Sequence, residues 1–260
     1  MIKSFLSSLS VLFLLLLVSS PVYASSRDAA LAERAVSDAI RVYEDLEDYT
    51  AVFHKHEKKE GDWLHPESFL MKFKKPFSVY MMGLKGPHKG YGMLYVDGKY
   101  NNKILVHVSG FMNIFMPSFI LETNNHLMMK NNRHGVNDVG IGYFINSMRT
   151  EFLTALDRDE VEVEYLGEVE ENNELGHKFA LRYNSKGTNE YYTPFGEVVF
   201  SQSTKLPMHI WIYQTLNKKS LIEEYQYWDM QVNTGLSDRD FDAKNPDYNF
   251  GTVLGDEGEQ

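Results

Sequence analysis

The chain has 260 residues, with 36 Asp plus Glu against 26 Lys plus Arg and a net charge of −10. That balance excludes nucleic acid and anionic membrane surfaces as partners, because both recruit clustered positive charge. There is no cysteine, which excludes disulfides, thiolate metal sites and lipid attachment at a cysteine.

The chain opens with Lys3, an apolar run from Val11 to Val18, Ser19-Ser20-Pro21, and the small-residue pattern Val22-Tyr23-Ala24. This is the pattern of a cleavable signal peptide over residues 1–24, cut after Ala24, and it predicts export to a bacterial periplasm. Even with Phe5 and Leu6 included, the apolar region is interrupted by serines and too short for a comfortable transmembrane span. Residues 25–250 are expected to form one domain and 251–260 an unstructured tail. The 16 Tyr and 16 Phe suit sheets and apolar pockets, so an α+β fold is expected.

Asp28 is placed to cap a helix whose apolar positions Leu31, Ala35, Ala39, Val42 and Leu46 recur at steps of three and four, ending near Asp48. Tyr49 to Lys58 reads as the first strand. Phe69 to Leu84 reads as the second, bent or bulged at Pro76, which cannot donate a ladder hydrogen bond. In this stretch Phe69, Met71, Phe73, Phe77, Val79 and Met81 share the buried face by alternation, while Lys72, Lys74 and Ser78 face water. Lys75 breaks the pattern, falling with the buried set. A charge there must be paired, lie at the rim of a cavity, or be turned out by a bulge at Pro76.

Gly90 to Val96 and Lys103 to Ser109 read as a hairpin around Asp97-Gly98-Lys99-Tyr100-Asn101-Asn102. Phe111 to Leu121 is apolar almost all round and is expected to cover a cavity, with Phe111, Phe115 and Phe119 facing in. The polar run Lys130 to Gly135, with Arg133 and His134, is a structured loop or a gate. A second helix follows, with Asn137 as cap and Ile141, Ile145, Met148, Phe152 and Leu156 on one stripe, weakened by Gly140 and Gly142. Glu160 to Val169, His177 to Asn184, Tyr191 to Ser201, Met208 to Leu216 and Leu221 to Val232 read as further strands of an antiparallel sheet.

In chain order, the export signal, N-terminal helix, basic residue before Pro-Phe and Asp-Gly-Lys hairpin resemble the LolA and LolB lipoprotein-carrier superfamily. The likeness is closer to a bacterial branch of secreted LolA-like proteins of unknown function. It is carried by Lys72-Phe73-Lys74-Lys75-Pro76-Phe77-Ser78-Val79-Tyr80, Leu94-Tyr95-Val96-Asp97-Gly98-Lys99, Gly135 to Gly142, and Phe241-Asp242-Ala243-Lys244-Asn245-Pro246-Asp247-Tyr248-Asn249-Phe250. The resemblance implies an unclosed antiparallel β half-barrel with an N-terminal helix and a helical lid over an apolar concave face. It implies a carrier of lipid or lipoprotein acyl chains, working with a membrane-protein donor or acceptor in the envelope. In LolA the basic residue before the proline is an arginine that bonds the lid closed, so Lys75, with Arg133 and His134, is the candidate latch. Lysine keeps the charge but lacks the planar five-donor fork.

Two readings from other classes stand beside this one: a hydrolase acting on envelope lipid or glycan, and an interaction module of an envelope assembly. Ser109-Gly110 lacks the full G-x-S-x-G nucleophile elbow. His54 and His56 share a strand face and, with His107, His126 or His134, have the donor type for a metal, but no helical His-Glu-His spacing supports a site. Glu162 and Glu164, like Glu168 and Glu170, alternate with Val161, Val163 and Tyr165 and read as the wet face of a strand. Trp211, Tyr213, Tyr225, Tyr227 and Trp228 are candidates to line a lipid cavity, stack on sugars, or pack the sheet. Neither a cofactor, a metal nor a catalytic residue is expected.

Overall fold

A computed structural model describes residues 21–109, 118–130, 132–184, 191–248 and 250. The apolar run of the expected signal peptide, Phe111 and Phe115, and the tail 251–260 lie outside the described residues. The first helix, α1 (Pro21–Asp45), begins before Ala24. It buries Ala32, Val36 and Ala39, whereas Leu31 is 38% exposed. Of the expected stripe, Ala39 and Leu46 are buried and Ala35 and Val42 pack partly against the core, while at the N-terminal end the buried positions are Ala32 and Val36 instead of Leu31. Asp28 is inside the helix, and its Oδ2 accepts the Tyr165 N–H at 3.1 Å, close to a bulge between Tyr165 and Gly167.

Twelve antiparallel strands form one sheet. They are β1 (Asp48–Lys59), β2 (Asp62–Trp63), β3 (Glu67–Lys74), β4 (Ser78–Lys85), β5 (Gly92–Val96), β6 (Ile104–His107), β7 (Ser118–Leu121), β8 (Val161–Glu171), β9 (Glu174–Tyr183), β10 (Phe195–Ser201), β11 (Pro207–Tyr213) and β12 (Leu221–Val232). Their order is β7-β6-β5-β4-β3-β1-β12-β11-β10-β9-β8, with β2 attached to β1. The two ends of this path, β7 and β8, are not paired, so the sheet is unclosed, as the resemblance implied. The central pairing of β1 with β12 joins residues more than 160 positions apart, for example Glu57 with Glu223.

The stretch expected to be one bent strand is a hairpin. Lys75, Pro76 and Phe77 turn the chain between β3 and β4, and the Lys75–Pro76 peptide is cis. Apart from the proline, no Gly, Asn or Asp marks this turn, which is why it reads as a continuous strand. The face assignment nevertheless survives. Phe73 pairs with Val79 and Met71 with Met81, so odd-numbered residues of both strands still share one face. Lys72 and Lys74 point away from it, but not into open water. They donate to Asp240 at 2.8 Å and Asp238 at 3.0 Å of the C-terminal segment.

One face of the sheet, here the inner face, carries the main core. Tyr49, Phe53, Met71, Phe73, Val79, Phe179, Phe200 and Tyr227 are buried there with α1 and a helical region. That region comprises α2 (His126–Lys130), α3 (Ile141–Ser147), a π turn (Met148–Phe152) and α4 (Leu153–Asp157). The second helix was expected to start at Asn137 and instead starts at Ile141. Gly140 has φ +100°, which ends any helix running into it, and a Cβ there would lie 2.9 Å from the Tyr49 hydroxyl. That hydroxyl accepts the Ile141 N–H at 3.1 Å. Ile141, Ile145 and Phe152 are fully buried along the expected stripe.

The outer face of β4, β5 and β6 is sealed by residues 236–250. Tyr80, Leu94, Val96 and Leu105 pack there against Phe241, Ala243, Tyr248 and Phe250. Tyr80 and Tyr248 stack with ring centroids 3.7 Å apart.

Candidate functional site

An apolar cavity of about 150 Å³ lies between the inner face and a cover, residues 132–144. The sheet contributes Phe53 (β1), Phe69 (β3), Met81 (β4), Met93 (β5), Val106 (β6) and Tyr225 and Tyr227 (β12). From the cover come His134, Val136, Val139, Gly140, Tyr143 and Phe144. Each sheet residue is here because alternation turns it inward, and successive strands bring these positions into one row. Phe53 and Tyr227 have centroids 5.0 Å apart across β1 and β12.

One end of the cavity is charged. Glu57 and Glu67 line it and are each 4% exposed, and behind them Glu223, 0% exposed, meets the lining residues His134 and Tyr225; all three are sheet residues. Burying a carboxylate is tolerable only with partners in place. Glu67 Oε1 lies 2.6 Å from His88 Nδ1, and its Oε2 lies 3.3 Å from Lys55 Nζ. Glu57 Oε1 accepts from the Tyr225 hydroxyl at 2.7 Å, and its Oε2 accepts the Arg133 main-chain N–H at 3.1 Å. Glu223 Oε1 accepts from Arg133 Nε at 2.7 Å and the Tyr192 hydroxyl at 2.5 Å, and its Oε2 lies 3.2 Å from His134 Nε2. Arg133 also donates from Nη1 to the Lys58 carbonyl at 2.6 Å. Lys55 and Lys59 of β1 bond the side chain and the carbonyl of Asn132 respectively, so the cover is tied to the sheet at this end.

The ionisation of these groups follows from their surroundings. Burial works against the Glu223 carboxylate, but hydrogen bonds from His134 and Tyr192 and the charges of His134 and Arg133 outweigh it and lower its pKa. Burial likewise opposes the Glu67 carboxylate, yet His88 and Lys55 hold it below its usual range. His134 moves the other way: burial disfavours its cationic form, and Glu223, Glu57 and Asp138 more than offset this. Burial, then Glu223 and Glu57, push the Tyr225 phenol far up, so it stays a neutral donor.

Of the expected cavity residues, Phe69 and Met81 line the space. Met71, Phe73 and Val79 are at most 1% exposed and belong to solid core, and half-buried Phe77 packs edge-on against Phe73 and Tyr95. The difference lies along the strands, not across them. Near the turn, Tyr49 and Gly140 fill the room beside Phe73, whereas near Phe69 the cover stands off. Phe119 packs against the core from β7. Tyr225 and Tyr227 line the cavity, whereas Trp228 packs tilted against His54, 3.9 Å between centroids, away from it. Phe53, Met93 and Val106 were not singled out from sequence, although the alternation in their strands marks them as inward.

Lys75 does not line the cavity and does not touch the cover. It sits half-buried in the β3–β4 turn, where Nζ donates to the carbonyl of Tyr43 and, at 3.0 Å, to that of Glu44. These are last-turn carbonyls of α1, which have no intrahelical donor and sit at the negative end of the helix dipole. Nζ also lies 4.6 Å from the Tyr43 ring centroid. Burial lowers the pKa of its ammonium, against the pull of Glu44 and Asp45. The lysine thus clamps the N-terminal helix. Lys75→Ala is expected to lower stability by about 1–2 kcal/mol while leaving the affinity for an apolar probe unchanged. Urea denaturation and a fluorescent fatty-acid titration on the same variant test both halves; lost binding at full stability would contradict the clamp.

Arg133 and His134 are themselves residues of the cover; Arg133 bonds Glu223 and, through its main-chain N–H, Glu57, and His134 lies beside Glu223. Among the described residues no group of three or more His, Asp or Glu is arranged to bind a metal ion, and no helix is long and apolar enough to cross a membrane. Glu162, Glu164, Glu168 and Glu170 are exposed on β8.

The structure is thus an unclosed antiparallel sheet with a covered apolar cavity that is charged at one end. The chain belongs to the family described as "Protein of unknown function (DUF1571)", whose model matches residues 46–250. No curated protein matches the sequence. Among solved structures, similar ones include a LolA superfamily protein from Nitrosomonas europaea, at 11% identity and TM-score 0.36, covering 81% of this chain and 97% of that one. Another is the Mycobacterium tuberculosis lipoprotein LppX, at 10% identity and TM-score 0.45, covering 82% and 98%. A third is the Pseudomonas aeruginosa MucA/MucB complex, at 10% identity and TM-score 0.42, covering 84% of this chain and 61% of that one.

Proposed function

We propose that this protein is a non-enzymatic carrier or chaperone of the bacterial periplasm that holds acyl chains of a lipid or lipoprotein between the sheet and the cover. The observation that carries the reading is the apolar cavity walled by Phe53, Phe69, Met81, Met93 and Tyr227 and closed by a segment that combines an apolar inner side with polar ties at one end. Apolar walls supply affinity without chemistry, at about 0.8 kcal/mol for each methylene removed from water. A twelve-carbon chain would gain roughly 9 kcal/mol on that scale before the cover is lifted. A void of about 150 Å³ takes little more than one benzene ring. A longer chain therefore enters only as residues 132–144 move outward, and the polar ties at Glu57 and Glu223 are what must give way. The export pattern at residues 1–24 supports the periplasmic setting.

Native mass spectrometry of the protein purified from its own envelope tests the reading. A co-purifying lipid or lipopeptide supports it; an empty protein that hydrolyses an ester or a glycan overturns it. Met93→Trp supplies a second test, because the indole fills the void from β5. The variant is expected to bind a fluorescent fatty acid at least tenfold more weakly at unchanged stability, and equal affinity would place the ligand elsewhere.

A further inference from the structure

We propose that the ligand of this cavity is an amphiphile with a cationic head, an ammonium or guanidinium group, whose charge takes the place that Arg133 and His134 hold in the closed protein. This rests on the carrier reading above and adds the chemistry of the head group. The cavity is the site, and the charges at its end select what enters it.

The selection follows from which charges stay and which leave. Glu57, Glu67 and Glu223 belong to β1, β3 and β12, so they remain when the cover moves. Lys55, a sheet cation at this end, lies 3.3 Å from Glu67 and 3.9 Å from Glu57, while Lys59 of the same strand donates to the main-chain carbonyls of Met129 and Asn132. His88, in the β4–β5 connection, serves Glu67 at 2.6 Å. The partners of Glu223, by contrast, are largely on the moving segment: Arg133 Nε at 2.7 Å and His134 Nε2 at 3.2 Å. Glu57 loses the Arg133 N–H with them. Opening therefore strips both cations from the fully buried Glu223 and a main-chain donor from the nearly buried Glu57, with three sheet carboxylates left near Lys55 and His88.

A buried carboxylate without its cation is strongly unfavourable, so the occupied state needs a replacement charge. An ammonium or guanidinium head supplies it, with donors for Glu57 and Glu223 and the Tyr225 ring beside it for a cation–π contact. A carboxylate or phosphate head would instead add negative charge to an end already rich in it. In the closed protein the cover's Arg133–His134 pair occupies this position as an internal stand-in, and cargo and cover compete for the same carboxylates.

Calorimetric titration of the whole protein at pH 7.5 with dodecylammonium, dodecanoate and dodecyl maltoside, each below its micelle concentration, tests this. Dodecylammonium is expected to bind at least tenfold more tightly than dodecanoate, with the neutral maltoside between them. Glu57→Gln, which keeps the shape and an acceptor for Tyr225, should cut the preference severalfold. Glu170→Gln, on the exposed face of β8, should leave it intact, separating the site from the general attraction of an acidic protein. Dodecanoate binding as tightly as dodecylammonium overturns the head-group proposal and leaves the carrier reading standing. Failure of all three chains to bind overturns both. A preference that Glu57→Gln and Glu170→Gln reduce equally overturns the assignment to the cavity.

Discussion

Glu223→Ala is expected to lower the unfolding free energy by about 3–5 kcal/mol, the range for removing one member of a buried ionic network. Glu223 is 0% exposed and serves Arg133, His134 and Tyr192 together. Alanine would remove the anion they share, leave Arg133 with the Lys58 carbonyl as its remaining side-chain acceptor, and loosen the cover from β12. Urea denaturation should show a lower midpoint, and hydrogen exchange should show residues 132–144 unprotected before the sheet opens. Stability within about 1 kcal/mol of the parent would mean that the cover is held by its apolar face alone.

The same variant carries a pH signature. Glu223 has a depressed pKa in the folded protein, so its contribution is full above the ordinary value of 4.5 and lost as pH falls through the folded value. His134 has a raised pKa, so its contribution is full below the ordinary 6.5 and lost as pH rises through the folded value. The tie is therefore strongest between about 4.5 and 6.5 and weakens on both sides. Its loss makes the variant's stability profile flatter than the parent's, with the smallest difference at the two extremes of pH.

Asp48→Ala is expected to cost about 3 kcal/mol, from a different part of the molecule. Asp48 is 2% exposed, the first residue of β1, and its carboxylate takes the start of the C-terminal segment. Oδ1 accepts from Thr234 N at 2.7 Å and Thr234 Oγ1 at 2.8 Å, and Oδ2 accepts from Gly235 N and Leu236 N, each at 3.0 Å. Without it, the N–H groups of residues 234–236 lose their acceptor. The strap that seals Tyr80, Leu94 and Leu105 should then loosen. Hydrogen exchange should rise across residues 236–250 while β1 and β12 stay protected. Equal protection in both proteins would show that the Tyr80–Tyr248 stack holds the strap unaided.

Some of this was legible from local pattern. Leu221 to Val232 is a strand with the expected bounds, because Asn217-Lys218-Lys219 marks the turn before it and the aromatic positions Tyr225 and Tyr227 alternate inward ahead of a bulge at Asp229. The inward face of residues 69–81 was also legible, and it survived a wrong connection. Phe73 still shares a face with Val79, since the three-residue turn preserves parity. The turn itself was not legible, because only Pro76 signals it. Asp48 read as the end of a helix; α1 stops at Asp45, and the next residues already belong to the approach to β1.

The candidate site divides in the same way. Lys75 stands out as a charge in an apolar pattern, but its partners are backbone carbonyls of α1, more than 30 positions away, which have no residue signature. The charged end of the cavity joins Glu57, Glu67, Arg133, His134 and Glu223, residues spread over more than 160 positions. In sequence, Glu57 and Glu223 look like ordinary surface acids, because alternation says only which side of a strand a residue takes. Whether that side meets water, solid core or a cavity depends on what a distant segment places over it. By itself, then, the sequence determined the export pattern, the α+β class and the inward set of residues, all of which are local consequences of periodicity. The tertiary structure alone decided that Phe69 and Met81 line empty space while Phe73 does not, and that buried carboxylates tie down the cover. Those are properties of the non-local pairing of β1, β3 and β12 beneath residues 132–144, where side-chain volumes and charges far apart in the chain must balance.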